Sequence, residues 1–246
     1  MNNVKARANL KVIWENNLPL DKIKWYKKSL NEFSLPKRFH PKIKSYWTKH
    51  SEKNPKDYDG KLLFLNNYKI KNNVLLLDVG YIRFSTVIFM VKNHLRIEQG
   101  IGMLGTQCLV FSPCKQYILI GERPLTQTYY PGATIIPGGM LEINDLDKEP
   151  RKALLREIYE EVPLPLNSDA YLKALLVGWN GVSVTFLLCT SVSPSYNFNP
   201  FESISGEKSE WENNLRWISL EKLREFPSNY LLDGLIYFKS KIKKSL

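Results

Sequence analysis

Apolar residues recur on a helical period between Lys148 and Val162. Leu154, Ile158 and Val162 form one stripe and Leu155 lies beside it. The stretch is rich in helix formers, Pro150 is tolerable in a first turn, and Asp145 or Asp147 is available as a cap. A helix over 148–162 is therefore predicted. On both sides of it the pattern shortens to strands. Lys61–Ile70 and Asn73–Tyr81 hold the apolar runs Leu62–Leu65 and Val74–Leu77, with Lys71-Asn72 turning between them. Met103–Ser112 and Tyr117–Glu122 read as two more strands around a turn at 112–116. Leu172–Trp179 and Val182–Ser191 are an antiparallel pair joined by Asn180-Gly181, the strongest short hairpin signal in the chain. Leu215–Ile218 is a short strand, Ser219 caps a helix, and Tyr230–Lys243 makes a last basic helix. Residues 194–212 read as a polar, irregular loop.

The front of the chain predicts two short helices, near Asp21–Phe33 and Pro41–Lys53. Ile43, Tyr46 and Trp47 fit the buried side of the second. Ser85–Val91 is compatible with helix or strand. No repeat, low-complexity linker or Pro/Gly-rich boundary interrupts the chain. Two units are expected: a basic N-terminal extension over 1–99, packed on a domain over 100–246.

Composition narrows the class. Of the 246 residues, 43% are hydrophobic and 24% charged, as in ordinary globular proteins. Cys108, Cys114 and Cys189 are too few for a disulfide framework, and His40, His50 and His94 lie too far apart to suggest zinc. No signal peptide opens the sequence, and the most apolar window, Val74–Val91, contains Asp78 and Arg83. A cytoplasmic protein with no membrane partner is the expectation. The net charge of +11 is uneven. Residues 1–96 hold 20 Lys and Arg against 7 Asp and Glu, net +13, and the remainder is −2. Such an excess marks either a nucleic-acid-binding arm or a lysine-rich solvated surface.

The chemistry concentrates in IPGGMLEINDLDKEPRKALLREIYEEVPL. Glu157, Glu160 and Glu161 stand at i, i+3 and i+4 on one face of the predicted helix, where three carboxylates repel one another. A hard divalent cation with oxygen ligands offsets that repulsion, and Mg²⁺ commonly retains waters and substrate phosphates. Gly138-Gly139 upstream lets backbone approach a ligand closely. A glycine turn before an acidic helix is thus a candidate cradle for a metal and a diphosphate.

This stretch resembles the Nudix box, G-x5-E-x7-R-E-U-x-E-E-x-G-U, in which U is a bulky apolar residue. Gly139, Arg156, Glu157, Ile158, Glu160, Glu161 and Leu164 match. The spacing from Gly139 to Arg156 is three residues longer than the pattern, Lys148 stands where the first Glu belongs, and Pro163 replaces the second Gly. Asp147 or Glu149 could take the place of that first Glu, or nothing does. The resemblance spans roughly residues 100–246. It implies an α+β fold, an α/β/α sandwich with a mixed sheet, and hydrolysis of a phosphoanhydride bond with Mg²⁺, or Mn²⁺ in its place. It implies Glu157, Glu160, Glu161 and the Gly139 carbonyl as metal ligands. Arg156 would pair with loop acids and hold the turn on the helix. Gly138, Gly139 and Arg123, which ends the second strand, would contact substrate; Trp179, Tyr129 and Tyr130 could stack on a base. A loop Glu distant from the box often takes part, and Glu210 is taken here over Glu207 and Glu212.

A looser resemblance links the front part to Nudix proteins with an N-terminal extension, among them eukaryotic UDP-sugar hydrolases. It rests on LLFLNNYKI, Gly80-Tyr81, Leu104-Gly105, the loop insertion and the exit Glu161-Val162-Pro163-Leu164-Pro165-Leu166. A nucleoside diphosphate linked to X, for instance UDP-glucose, is the substrate this implies, cleaved to a nucleoside monophosphate and phosphoryl-X. Two other functions fit the same residues: an RNA 5′-end or decapping hydrolase using the basic extension, and a non-catalytic nucleotide-binding module. The expected partner is a small nucleotide; RNA and a second copy of the chain, a homodimer, are the others considered.

Overall fold

The computed structural model of the protein describes residues 10–97, 101–123, 132–178, 181–204, 215–227 and 231–242, the side chains of 29 and 30 excepted. The elements run β1 (Lys11–Pro19), β2 (Ile23–Glu32), α1 (His40–Lys53), β3 (Lys61–Lys71), β4 (Val74–Arg83), α2 (Phe84–Lys92), β5 (Gly102–Phe111) and β6 (Tyr117–Glu122). They continue β7 (Thr134–Ile135), α3 (Pro150–Glu161), β8 (Tyr171–Val177), β9 (Ser183–Ser191), β10 (Ser203–Ile204), β11 (Leu215–Ser219), α4 (Leu220–Glu225) and α5 (Asp233–Ile242). Short 3-10 turns occupy Leu20–Lys22 and Ile143–Asp147.

The architecture is α+β around a mixed sheet. The main path runs β1-β8-β9-β5-β3-β4-β2, and β6, β7, β10 and β11 continue from β5. The β5–β9 and β2–β4 pairs are parallel and the others antiparallel. Strand side chains alternate between the two faces. Cys108, Val110, Phe186 and Leu188 join Leu154, Leu155 and Ile158 of α3 in one core, whereas Leu109, Leu187 and Cys189 join Leu235 and Tyr237 of α5 in another. Helices therefore cover both faces of the sheet. A third cluster beneath α1 and α2 takes Leu62, Phe64 and Ile82 from β3 and β4.

The front part completes this same sheet. β1 lies at one end of the strand path and β2 at the other, yet only Leu20–Lys22 separates them in sequence. Four steps of chain span at most about 14 Å. The sheet must therefore curl until its ends nearly meet, and α3 sits inside the curl, against β2, β5 and the Leu20–Lys22 turn. Leu18, Leu20 and Ile23 are buried in the core shared with α3.

The helix expected over 21–33 is instead the 3-10 turn and β2. Ile23 and Trp25, two apart, both enter the core, and the backbone of β2 pairs in parallel with β4; tertiary pairing overrides the local helical pattern. β1, and β10 inside the expected loop, had no clear signature. The open choice at 85–91 resolves to helix α2. The acidic helix starts at Pro150, two residues late, and neither Asp145 nor Asp147 caps it. Asp145 instead closes a reciprocal cap with Glu142 around the Ile143–Asp147 turn. The turn at Asn72-Asn73 has positive φ at both residues, as the hairpin requires.

Candidate active site

The site forms where the glycine turn crosses β5 and meets α3. Gly138 has φ +150°, and a Cβ there would lie 2.1 Å from the Thr106 carbonyl oxygen. Backbone-to-backbone contact this close admits only glycine. A Cβ on Gly139 would lie 2.6 Å from the Glu157 carboxyl carbon. The turn is pinned from both sides: Thr106 N–H donates to the Gly139 carbonyl (2.8 Å), and Gly138 N–H donates to Glu161 Oε2 (2.7 Å). The Gly139 oxygen thus has one protein donor and one further lone pair.

Arg156 connects loop and helix. Its Nε and one terminal nitrogen each meet a different oxygen of Asp145, both at 3.1 Å, while its terminal nitrogens also reach Glu157 (2.6 Å) and Glu160 (3.2 Å). Asp145 is fully buried and also accepts from Lys148 Nζ and Glu142 N–H. Burial pushes its carboxyl up, but the Arg156 fork, the Glu142 amide and Lys148 outweigh that and hold it below the usual carboxylate range. The acid facing Arg156 is therefore Asp145, not Asp147 or Glu149. Asp145 keeps the box spacing from Gly139, with five residues between, and the three extra residues lie between it and Arg156. Lys148 is a further partner of that acid.

The three helix carboxylates separate by environment. Glu161 is buried against the glycine turn. Glu157 is mostly buried, and burial first, then the neighbouring charge of Glu160, raise its pKa against the pull of Arg156. Glu160 keeps 46% of its side chain exposed and stays on the Arg156 side. Among the described residues no group of three His, Cys, Asp or Glu stands ready-made around one point.

Glu157 and Glu161 line a cleft of about 270 Å³ that also takes in Gly138, Gly139 and Arg123. Further polar residues in its wall went unrecognised in the sequence, Glu142, Asp233 and Thr106 among them. Glu142 adds a carboxylate and accepts from Tyr58 of the extension (2.6 Å). Asp233, at the start of α5, is buried in the cleft wall. The Thr106 hydroxyl, also in the wall, is buried with no hydrogen-bond partner among the described residues. Only Glu142 had a signal available, since it lies three residues after Gly139 in the box loop. Ile135, Ile136 and Leu232 provide an apolar stretch. Trp179, Tyr129, Tyr130, Glu207, Glu210 and Glu212 lie outside the described residues.

The extension holds the inserted loop. Trp25 Nε1 donates to the Lys148 carbonyl (3.0 Å), Lys28 Nζ to the Leu146 carbonyl (2.6 Å), and Leu63 N–H to the Leu141 carbonyl (2.7 Å). Four elements therefore fix the cleft's acidic end: the extension, the insertion, the glycine turn and α3.

The sequence matches no family model and no curated protein. Solved structures similar to it include a MutT protein from Methanosarcina mazei, 14% identical, covering 61% of this chain and 97% of its own with a TM-score of 0.40. Another is a NUDIX-family hydrolase from Clostridium perfringens, 15% identical, at 59% and 98% coverage and a TM-score of 0.41. A third is the NUDIX domain of Shewanella oneidensis NrtR, complexed with ADP ribose, 16% identical, at 61% and 91% coverage and a TM-score of 0.41.

Proposed function

We propose that the chain is a Nudix-type pyrophosphohydrolase that cleaves a nucleoside diphosphate linked to X, and that a UDP-sugar such as UDP-glucose is the first substrate to try. The observation that carries this reading is the lock between Arg156 and Asp145, which sets Glu157 and Glu161 on the Gly138-Gly139 turn at one end of a cleft with Arg123 in its wall.

The donor set suits a hard cation. It is all oxygen, the Glu157 carboxyl is held in a setting that raises its pKa, and Thr106 offers an unsatisfied hydroxyl in the wall of the same cleft. Mg²⁺ or Mn²⁺, held by Glu157 and Glu161 with Glu160 and the Gly139 carbonyl in reserve, would neutralise diphosphate charge and acidify a water. The chain's own groups do the rest. Arg123 presents a guanidinium fork to phosphate oxygens. Arg156 does not meet substrate; it fixes the direction of Glu157. Gly138 N–H keeps Glu161 aimed at the turn. The apolar stretch at Ile135, Ile136 and Leu232 excludes water from one side of the cleft. Residues 1–99 and 100–246 are then two sequence units of one catalytic body.

The test is hydrolysis with Mg²⁺ and then Mn²⁺ over UDP-glucose, ADP-ribose, dinucleoside polyphosphates, dNTPs and capped RNA, beside Glu161→Gln. Turnover of one class, lost in the variant, supports the reading. If no compound turns over with either metal while a nucleotide binds both proteins equally, the chain is a binding module and the reading fails.

A further inference from the structure

No lysine of the basic extension lines the cleft, which is acidic at one end. Part of the extension's basic excess gathers on one face. In α1, Lys42, Ser45, Tyr46 and Lys49 stand at helical spacings i, i+3, i+4 and i+7, and all but Tyr46 are exposed. With Lys92 at the end of α2 they line a shallow groove of about 440 Å³ between the two helices, and no acidic residue lines it. None of the three lysines makes an ion pair among the described residues. Lys42 and Lys49 lie about 10 Å apart along the helix axis. Tyr46 forms part of the wall, half-buried, with its ring edge-on to Phe89.

The groove and the cleft share a helix. Val87 of α2 lines the cleft, whereas Phe89 and Lys92 of the same helix line the groove. The two concavities therefore lie on opposite sides of one short helix, about 10 Å thick.

We propose that the α1–α2 groove binds single-stranded RNA, with Lys42, Lys49 and Lys92 on successive phosphates and Tyr46 beside a base. An acid-free groove with three unpaired lysines and an aromatic wall matches a phosphate chain that carries bases. The proposal stands apart from the hydrolase reading, because binding at α1–α2 needs neither the metal nor any residue of the cleft.

The experiment is fluorescence anisotropy of the full chain with a 5′-labelled single-stranded oligouridylate of roughly twelve nucleotides, from about 50 to about 300 mM KCl. Three phosphate contacts predict a slope of log K against log salt of about −2, at about −0.7 per contact for a single strand. The triple variant Lys42→Glu, Lys49→Glu, Lys92→Glu should bind at least about tenfold more weakly and flatten that slope. The neutral triple to Gln should fall between, and it guards against a folding defect, with thermal melts run on both. A control that reverses Lys11, Lys71 and Lys222, exposed elsewhere, should keep near-native affinity. Equal loss in the control would mean diffuse attraction to net charge and would overturn the groove. So would absence of RNA binding at the lowest salt, or lysine-dependent binding to vesicles of anionic phospholipid without binding to RNA.

Discussion

Replacing Asp145 by Asn removes a charge from the centre of the site while keeping its shape. Asp145 has 1% of its side chain exposed and receives both arms of the Arg156 fork, Lys148 and an amide. Removing one partner of a buried ion pair costs about 3–5 kcal/mol. Two features reduce that here. Arg156 keeps 22% of its side chain in solvent and retains Glu157 and Glu160, and the Asn carbonyl still accepts one hydrogen bond. The expected loss is about 2–3 kcal/mol, or about 4–12 °C in Tm for a domain of this size. The pH dependence follows from the sign of the shift. The folded pKa lies below the unfolded value of about 3.9, so the stabilisation is complete at neutral pH and is lost as pH falls through the lowered folded value. Wild type and Asp145→Asn should therefore differ fully at about pH 7, and the gap should narrow at a pH below the unfolded value of about 3.9. Thermal melts by circular dichroism at the two pH values decide it. A Tm change under about 1 °C at neutral pH, or a gap that persists unchanged in acid, would refute the lock described here.

Three other outcomes are expected. Glu157→Gln should leave the metal-free protein at neutral pH as stable as wild type or more so, because its environment disfavours the charged form; it should also abolish any rise in Tm on adding Mn²⁺. Gly138→Ala should destabilise by about 3 kcal/mol or more, since its Cβ would meet backbone, whereas Gly139→Ala meets only the end of the Glu157 side chain; urea melts should show the larger loss at 138, and Mn²⁺ titration calorimetry a weakened affinity at 139. The Tyr58 hydroxyl, donating to Glu142 and partly desolvated, is pushed up to about 12, so ultraviolet titration of wild type against Tyr58→Phe should assign to it one of the last phenols to ionise.

The glycine turn and the acidic helix were legible because their signals are local. A helical stripe, an i, i+3, i+4 carboxylate face and a double glycine lie within one short run, and each has the physical meaning its spacing suggests. β3, β4, β6 and the Ser219 cap were legible for the same reason: turn chemistry and apolar runs set them. What escaped depends on distant partners. β1 has meaning only beside β8, and β2 only beside β4; without those neighbours IKWYKKSLNE reads as readily as a basic helix. The role of Asp145 is hidden by counting back from Arg156, since the three extra residues lie between the two; counted forward from Gly139 it stands at the box spacing. Asp233 and Thr106 gave no signal, because only the fold brings α5 and β5 to one cleft.

The turn at Leu20–Lys22 that joins the two ends of the strand path bears on how the chain assembles. β1 and β8 come from opposite halves of the polypeptide, so the pairing that finishes the wrap around α3 has a high sequence separation and is slow to form. On the ribosome the first strand must wait, unpaired, until the hairpin of β8 and β9 has emerged. For that interval the apolar side of α3 lacks part of its cover, and the nascent chain is most exposed to misassociation. The acidic helix is therefore among the earliest recognisable pieces of this sequence and among the last to be enclosed.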